Sequence, residues 1–226
     1  MIKHFGLNLR ETDKGFKLTR DKYATIDNKS SFHICFKSMS DCYTDESGRY
    51  YTDEWCQKHQ ANCLKNFDLS MQFFSLLDES EFNNEITAFL KRNKRFKAVS
   101  DLNKYDVSGI YIMVLDEYKQ LYVGASDNIK RRIRQHWTKN KAFDRLLFPI
   151  GAVETSVMHI DSFRAFDTTR LYAYKCKTSF EIEQSIIEQF SPKFLCNRIG
   201  GGKFGDSLSS AIHALTTMKI RYLQNV

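Results

Sequence analysis

Tyr111 closes the string Gly109-Ile110-Tyr111 and Tyr122 opens Tyr122-Val123-Gly124; Arg132, His136, Glu183 and Asn197 follow in that order. Taken singly these residues say little. A tyrosine in a strand usually packs, and an arginine beside two others on a helix is usually solvated. Glu183 has Glu181 and Glu188 as neighbours that compete for any special role, and glycines at strand ends can simply ease the backbone. Taken together, the set matches what hydrolysis of a phosphodiester requires. A base must activate water, a cation must neutralise the charge gathering around phosphorus, and the leaving 3′ oxygen must be stabilised; a divalent ion can do much of the second and third.

These groups need elements that bring them together. Residues 108–115 are rich in Ile, Tyr, Met and Val and predict a strand. Residues 116–120 are polar, and 121–124 open a second strand, so the two pair as an antiparallel hairpin with a loop of about five residues. Such a hairpin brings both phenols to one side. Ser126 or Asp127 is expected to cap a helix over about residues 128–138. Ile129, Ile133 and Trp137 recur at every fourth position there and mark its buried face. Arg132 and His136 have the same spacing and share a face, with Arg131 and Arg134 pointing elsewhere. A helix over 141–147, a strand over 171–174 and a helix over 181–190 ending before Pro192 complete this half, with Ser179 as the last helix's cap. Gly200, Gly201 and Gly202 form a loop, and residues 207–223 predict a final amphipathic helix.

This ordered series resembles the GIY-YIG nuclease family over roughly residues 107–200. The carriers are the two tyrosine strings, the segment Asn128-Ile129-Lys130-Arg131-Arg132-Ile133-Arg134-Gln135-His136, and the helix with Glu183 leading to Pro192-Lys193-Phe194-Leu195-Cys196-Asn197. Asn197 lies two residues beyond the commonest family spacing. Ala125 stands where many members carry lysine, so that role falls to His136, Lys130 or another group. The resemblance implies an α+β fold, a small three-stranded and mainly antiparallel sheet flanked by helices. It implies an endonuclease that cuts DNA, most readily double-stranded, with one Mg²⁺ or Mn²⁺ held by Glu183 and largely by water. Arg132 would clamp the scissile phosphate. Tyr111 and Tyr122 would jointly contact the attacking water and the phosphate, since a neutral phenol is a poor base without help. His136 and Asn197 complete the implied site, and Lys130, Arg131, Arg134 and Lys193 are candidate DNA contacts. Restriction, mobile-element homing and repair incision all remain open, as does a non-catalytic nucleic-acid-binding module that keeps the fold.

Composition is consistent with that partner. The 226-residue chain carries a net charge of +7, and basic excess favours polyanions through counterion release. No signal-peptide core and no apolar run of membrane-spanning length is visible. The expectation is therefore a cytoplasmic protein, no membrane partner, and six cysteines held as thiols. The chain divides into a mixed α/β region over 1–104, a catalytic domain over 105–200 and a C-terminal helix over 201–226. In the first region, 32–36 predicts a strand, and 67–77 and 79–91 predict amphipathic helices. Residues 91–104 carry six cations and one acid, either a solvated helix end or a phosphate track. Tyr43, Tyr50, Tyr51 and Trp55, interleaved with Lys37, Arg49 and Lys58, fit base stacking or core packing, and the neighbouring Asp41, Asp45, Glu46, Asp53 and Glu54 favour core packing. Cys42, Cys56, His59 and Cys63 are candidate zinc ligands, although their spacing matches no standard finger.

Overall fold

The computed structural model describes residues 1–25, 53–139, 141–148, 152–177 and 180–197. The expected strand at 32–36, the aromatic run through Tyr51, Cys42, the Ser179 cap, the glycine loop at 200–202 and the helix at 207–223 lie outside these residues.

An N-terminal hairpin pairs β1 (Ile2–His4) with β2 (Leu7–Leu9), and the main sheet has four strands rather than the three expected, β3 (Lys97–Ala98), β6 (Arg170–Lys175), β4 (Gly109–Leu115) and β5 (Gln120–Ser126) in that spatial order, antiparallel throughout. β4 (Gly109–Leu115) is buried at every position, as a near-continuous apolar run must be when both its faces are covered. β5 (Gln120–Ser126) pairs with it through the three-ten turn Asp116–Tyr118, closed by Lys119 in the left-handed region at φ 48°. β6 (Arg170–Lys175) lies on the other side of β4, and β3 (Lys97–Ala98) adds two residues at its outer edge. β3, like the three-residue β1 and β2, was not visible in the sequence, because strands so short show no alternation.

After the single turn α1 (Arg20–Tyr23), the helices follow the apolar spacing. α4 (Ile129–Thr138) buries Ile129, Ile133 and Trp137. Its cap is Asn128, whose side chain accepts the Arg131 N–H at 2.8 Å, and not Ser126 or Asp127; Ser126 Oγ instead accepts the Asn128 N–H one turn earlier. α2 (Asp53–Leu76) begins well before the expected 67, and α3 (Glu79–Arg92) is capped by Asp78. The helix expected over 141–147 is only the three-ten turn Phe143–Arg145. α5 (Phe180–Ile187) carries Glu183. On the Ile110 side of the sheet Phe96 meets Tyr174, and α3 sets Phe89 against Phe190 and Phe82 against Phe194. One apolar core runs from Leu7 to Cys196 among the described residues.

The long connection from α4 to β6 is a strap held by buried polar groups. Asn66 of α2, fully buried, donates to the Val153 and Ser156 carbonyls at 2.8 Å each. Asp167, also fully buried, accepts from Leu18 N–H (2.9 Å), Arg164 N–H (2.6 Å) and the Tyr118 hydroxyl (3.0 Å). This single carboxylate therefore ties together the N-terminal segment, the hairpin turn and the strap. His4 Nε2 and Trp137 Nε1 add bonds to Thr168. An unmade buried bond costs more than a made one stabilises. Asp167→Ala strands three donors and is expected to cost about 2–4 kcal/mol in urea unfolding; a loss under about 0.5 kcal/mol would show that the carboxylate is not the fastener.

Candidate active site

Strand register sets the centre of the site. Tyr111 faces Gly124 across β4–β5 and Ala173 across β4–β6. With no side chain at 124, the Tyr111 ring folds over bare backbone; a methyl group there would overlap the ring and its hydroxyl. Tyr122 precedes Gly124 by two residues and so projects from the same face, its ring centroid 6.2 Å from that of Tyr111. Gly109 serves a similar purpose, since a side chain there would strike the Tyr174 carbonyl and Ile129. The glycine of each string is thus an imprint of a close neighbour rather than a strand-end convenience.

Arg132 and His136 share the face of α4 turned toward these phenols. His136 Nε2 lies 2.8 Å from the Tyr111 hydroxyl, and its Nδ1 lies 2.5 Å from Asp161 Oδ1. Both Tyr111 and His136 are essentially without exposure, at 0% and 1%. Burial pushes the Tyr111 and Tyr122 phenols above their ordinary range, with Arg132 acting the other way, so both rest protonated. Burial also holds His136 below its ordinary value, although the Asp161 bond opposes that. A neutral imidazole has one donor and one acceptor. Because Asp161 accepts, Nδ1 donates, Nε2 accepts, and the Tyr111 hydroxyl donates to it. Burial works against the Asp161 charge, but the His136 bond and the positive neighbours hold its carboxyl at about 2.

The outer edge of β5 carries the remaining groups. The Asn197 amide accepts the Val123 N–H at 3.0 Å and donates to the Val123 carbonyl at 2.8 Å. Cys196 N–H bonds the Leu121 carbonyl at 3.0 Å, beside a parallel bridge from Leu195 to Leu121. One step further along, Glu183 accepts the Ala125 N–H. Asn197 therefore orients the strand that bears Tyr122 and Gly124, and Ala125 contributes its backbone where a lysine is common. Burial lifts the Glu183 carboxyl to about 7, although the Ala125 N–H and the nearby Arg132 pull it down. Glu188 is exposed and accepts from Gln184, so it is turned to its own helix.

The surface cations differ in their engagements. Arg131 forks onto Asp127 at 2.8 and 2.9 Å, and Lys130 lies 3.7 Å from Asp106. Lys193 is drawn to Glu81 of α3 at 2.6 Å, while Arg134 is exposed. The exposed Arg131–Asp127 pair is worth little, whereas Lys130 and Lys193 are partly covered. Of the candidate zinc set, Cys63 Sγ lies 3.4 Å from His59 Nε2. His59 Nε2 donates to the Phe143 carbonyl at 2.9 Å and its ring stacks on Trp55, while Cys42 lies outside the described residues. Among the described residues no three His, Cys, Asp or Glu side chains are placed to share an ion. A lone carboxylate beside an arginine instead fits a hard cation that keeps most of its water, as Mg²⁺ does. Sequence reasoning missed Asp161 and the Ala125 N–H, the first because it stands in a strap without periodicity, the second because a backbone donor has no letter. No helix among the described residues is long and apolar enough to cross a membrane.

Residues 107–197 match the family described as the GIY-YIG catalytic domain. No curated protein and no solved structure matches the chain.

Two outcomes follow from this geometry. Gly124→Ala is expected to dislodge the Tyr111 phenol, lowering stability by about 1–3 kcal/mol and shifting the tyrosine ring resonances in NMR spectra; unchanged spectra would mean the ring does not rest there. Glu183 is protonated below about 7, and a cation binds only its carboxylate. Mn²⁺ affinity, followed by electron paramagnetic resonance, is therefore expected to fall roughly tenfold per unit as pH drops below 7 and to level off above it. A flat profile from pH 5.5 to 8.5 rules Glu183 out as the ligand.

Proposed function

We propose, with residues 107–197 belonging to the GIY-YIG family, that the protein is an endonuclease that hydrolyses DNA phosphodiester bonds with a single divalent cation. The observation that carries this reading is the convergence of both phenols, Arg132 and Glu183 on one face of the sheet, each within the electrostatic reach of the others. A packing role alone would not gather a half-buried arginine and a carboxylate lifted to about 7 beside two protonated tyrosines. Groups with displaced proton affinities cluster where chemistry is done.

Glu183 would hold the cation, which when bound supplies Lewis-acid stabilisation of the phosphate and of the leaving 3′ oxygen. Arg132 is half-buried against the phenols, so its fork meets a phosphate oxygen with little competing water. Tyr111 and Tyr122 present hydroxyls to the same space, one orienting the attacking water and the other the phosphate. His136 takes the hydrogen bond of Tyr111 and leaves that oxygen's lone pairs for the site. Asn197 keeps β5 at the spacing that sets Tyr122 opposite Arg132. Duplex DNA is the favoured substrate because the chain carries a net charge of +7 and its exposed helix arginines can track a backbone.

The test is plasmid cleavage by wild type, Glu183→Ala and Arg132→Ala with and without Mg²⁺ or Mn²⁺. Wild type is expected to nick or linearise plasmid only with the cation, and each variant to lose roughly 10²–10³-fold in rate while keeping its gel-shift affinity. Retained DNA binding with no cutting by wild type under either ion would hand the protein to the binding-module reading.

A further inference from the structure

Resting on the nuclease reading, we propose that Asp161 is a positioning residue for the cut. By accepting the Nδ1 proton of His136 it presents a bare Nε2 lone pair to the Tyr111 hydroxyl and fixes which way that hydroxyl points.

The argument is one of buried polar accounting. Tyr111 sits in the fully covered strand β4, so its hydroxyl must find a partner inside the protein. Arg132 also bonds this hydroxyl but can only donate to it, so the acceptor for the hydroxyl proton is Nε2 of His136, 2.8 Å away. His136 is itself 1% exposed, so solvent cannot decide its tautomer. If Nε2 carried the proton, two donors would face each other and one bond would be lost. A carboxylate at Nδ1, 2.5 Å away, excludes that arrangement because it can only accept. The same logic orients metal-bound and catalytic histidines through a carboxylate behind the ring.

Asp161 is itself held from several directions. Its N–H donates to His159 Nδ1 at 3.0 Å, and its carbonyl accepts from Arg164 Nη2 at 2.8 Å. Arg164 N–H in turn bonds Asp167, the fastener of the strap. The charged and titratable groups around His136 are Tyr111 from β4, Tyr122 from β5 with its ring 5.2 Å away, Arg132 on the same helix, Lys141 beyond the helix end and Asp161 from the strap. Arg132 and Lys141 disfavour a charged imidazole, and Asp161 alone of the charged groups favours one. The carboxylate therefore both selects the tautomer and stands ready to steady a proton passed from the phenol to Nε2. It comes from outside the tyrosine, arginine and glutamate strings, on a strap that α2 and the N-terminal segment hold in place.

The test reads the tautomer directly. In protein carrying ¹⁵N-histidine, long-range ¹⁵N–¹H correlation spectra distinguish Nδ1–H from Nε2–H, with His136→Gln identifying the His136 signals. Wild type is expected to show Nδ1–H. Asp161→Asn, close in volume, and Asp161→Ala are expected to show Nε2–H in a substantial fraction. With their melting transitions retained, both are expected to lose roughly 10²-fold in kcat at unchanged KM for plasmid. Wild type that cuts DNA yet carries the proton on Nε2 overturns the proposal alone. The same follows if Asp161→Asn keeps both the tautomer and the rate. Should Asp161→Asn fail to fold, the wild-type tautomer still decides. Wild type that shows Nδ1–H but never cuts removes the nuclease reading and, with it, the catalytic purpose given to Asp161.

Discussion

A phenol buried in the middle of a sheet needs a hydrogen-bond partner that water cannot supply. That constraint organises the site from the inside outward. Tyr111 finds His136, His136 then needs an acceptor and finds Asp161, and Asp161 needs a rigid carrier and has the strap. Each partner answers a buried polar group left by the one before, and an unpaired member at any point would cost more than the whole bond stabilises. The opposite side of the same phenol is shaped by sterics, where Gly124 leaves room for it.

The strap explains how residues far from the tyrosines share in the site. α2 grips it through Asn66, and the N-terminal segment reaches it through Leu18 and His4. Phe143 seats against Trp55 and His59 at its start. The apolar core is continuous across these contacts, so the hydrogen bonds to His136 draw on packing built by sequence-distant segments. A cut that depends on half-ångström placement of a phosphate needs such over-determination.

Much of this was legible in the sequence where periodicity or ordered spacing carried it. The apolar run of β4, the fourfold spacing of Ile129, Ile133 and Trp137, and the Arg132–His136 pair each predicted their element and face. What escaped has physical causes. β3 is two residues long, and a strand needs more than that to show a period. Phe143, Leu146 and Leu147 have helical spacing, yet all three are buried with only a single three-ten turn at Phe143–Arg145. The α4 cap moved to Asn128 because Ser126 was already engaged with the Asn128 backbone, a competition between equivalent polar residues that composition cannot rank. Asp161 was invisible because its meaning comes from His136, and that contact spans a loop without regular structure. The zinc candidates could not be ranked from spacing alone, because the engagements of His59 with a carbonyl, an indole ring and the Cys63 thiol arise only in the fold.

The side chain of Asn197 behaves as a counterfeit strand residue. It offers Val123 the donor and acceptor that a neighbouring backbone would, with Cys196 and Glu183 filling the positions on either side. β5 is the last strand of the sheet, and such an edge ordinarily invites another chain to add on. Here the outward Leu121 carbonyl, both Val123 groups and the Ala125 N–H are already taken, so the margin of the sheet nearest the two phenols resists β-addition along that stretch. The rung at Ala125 differs from the others in being held by a titratable acceptor. Whatever claims the Glu183 carboxylate, whether a proton or a cation, competes with that N–H, so the fraying of one sheet edge and the occupancy of the site report on the same oxygen atoms.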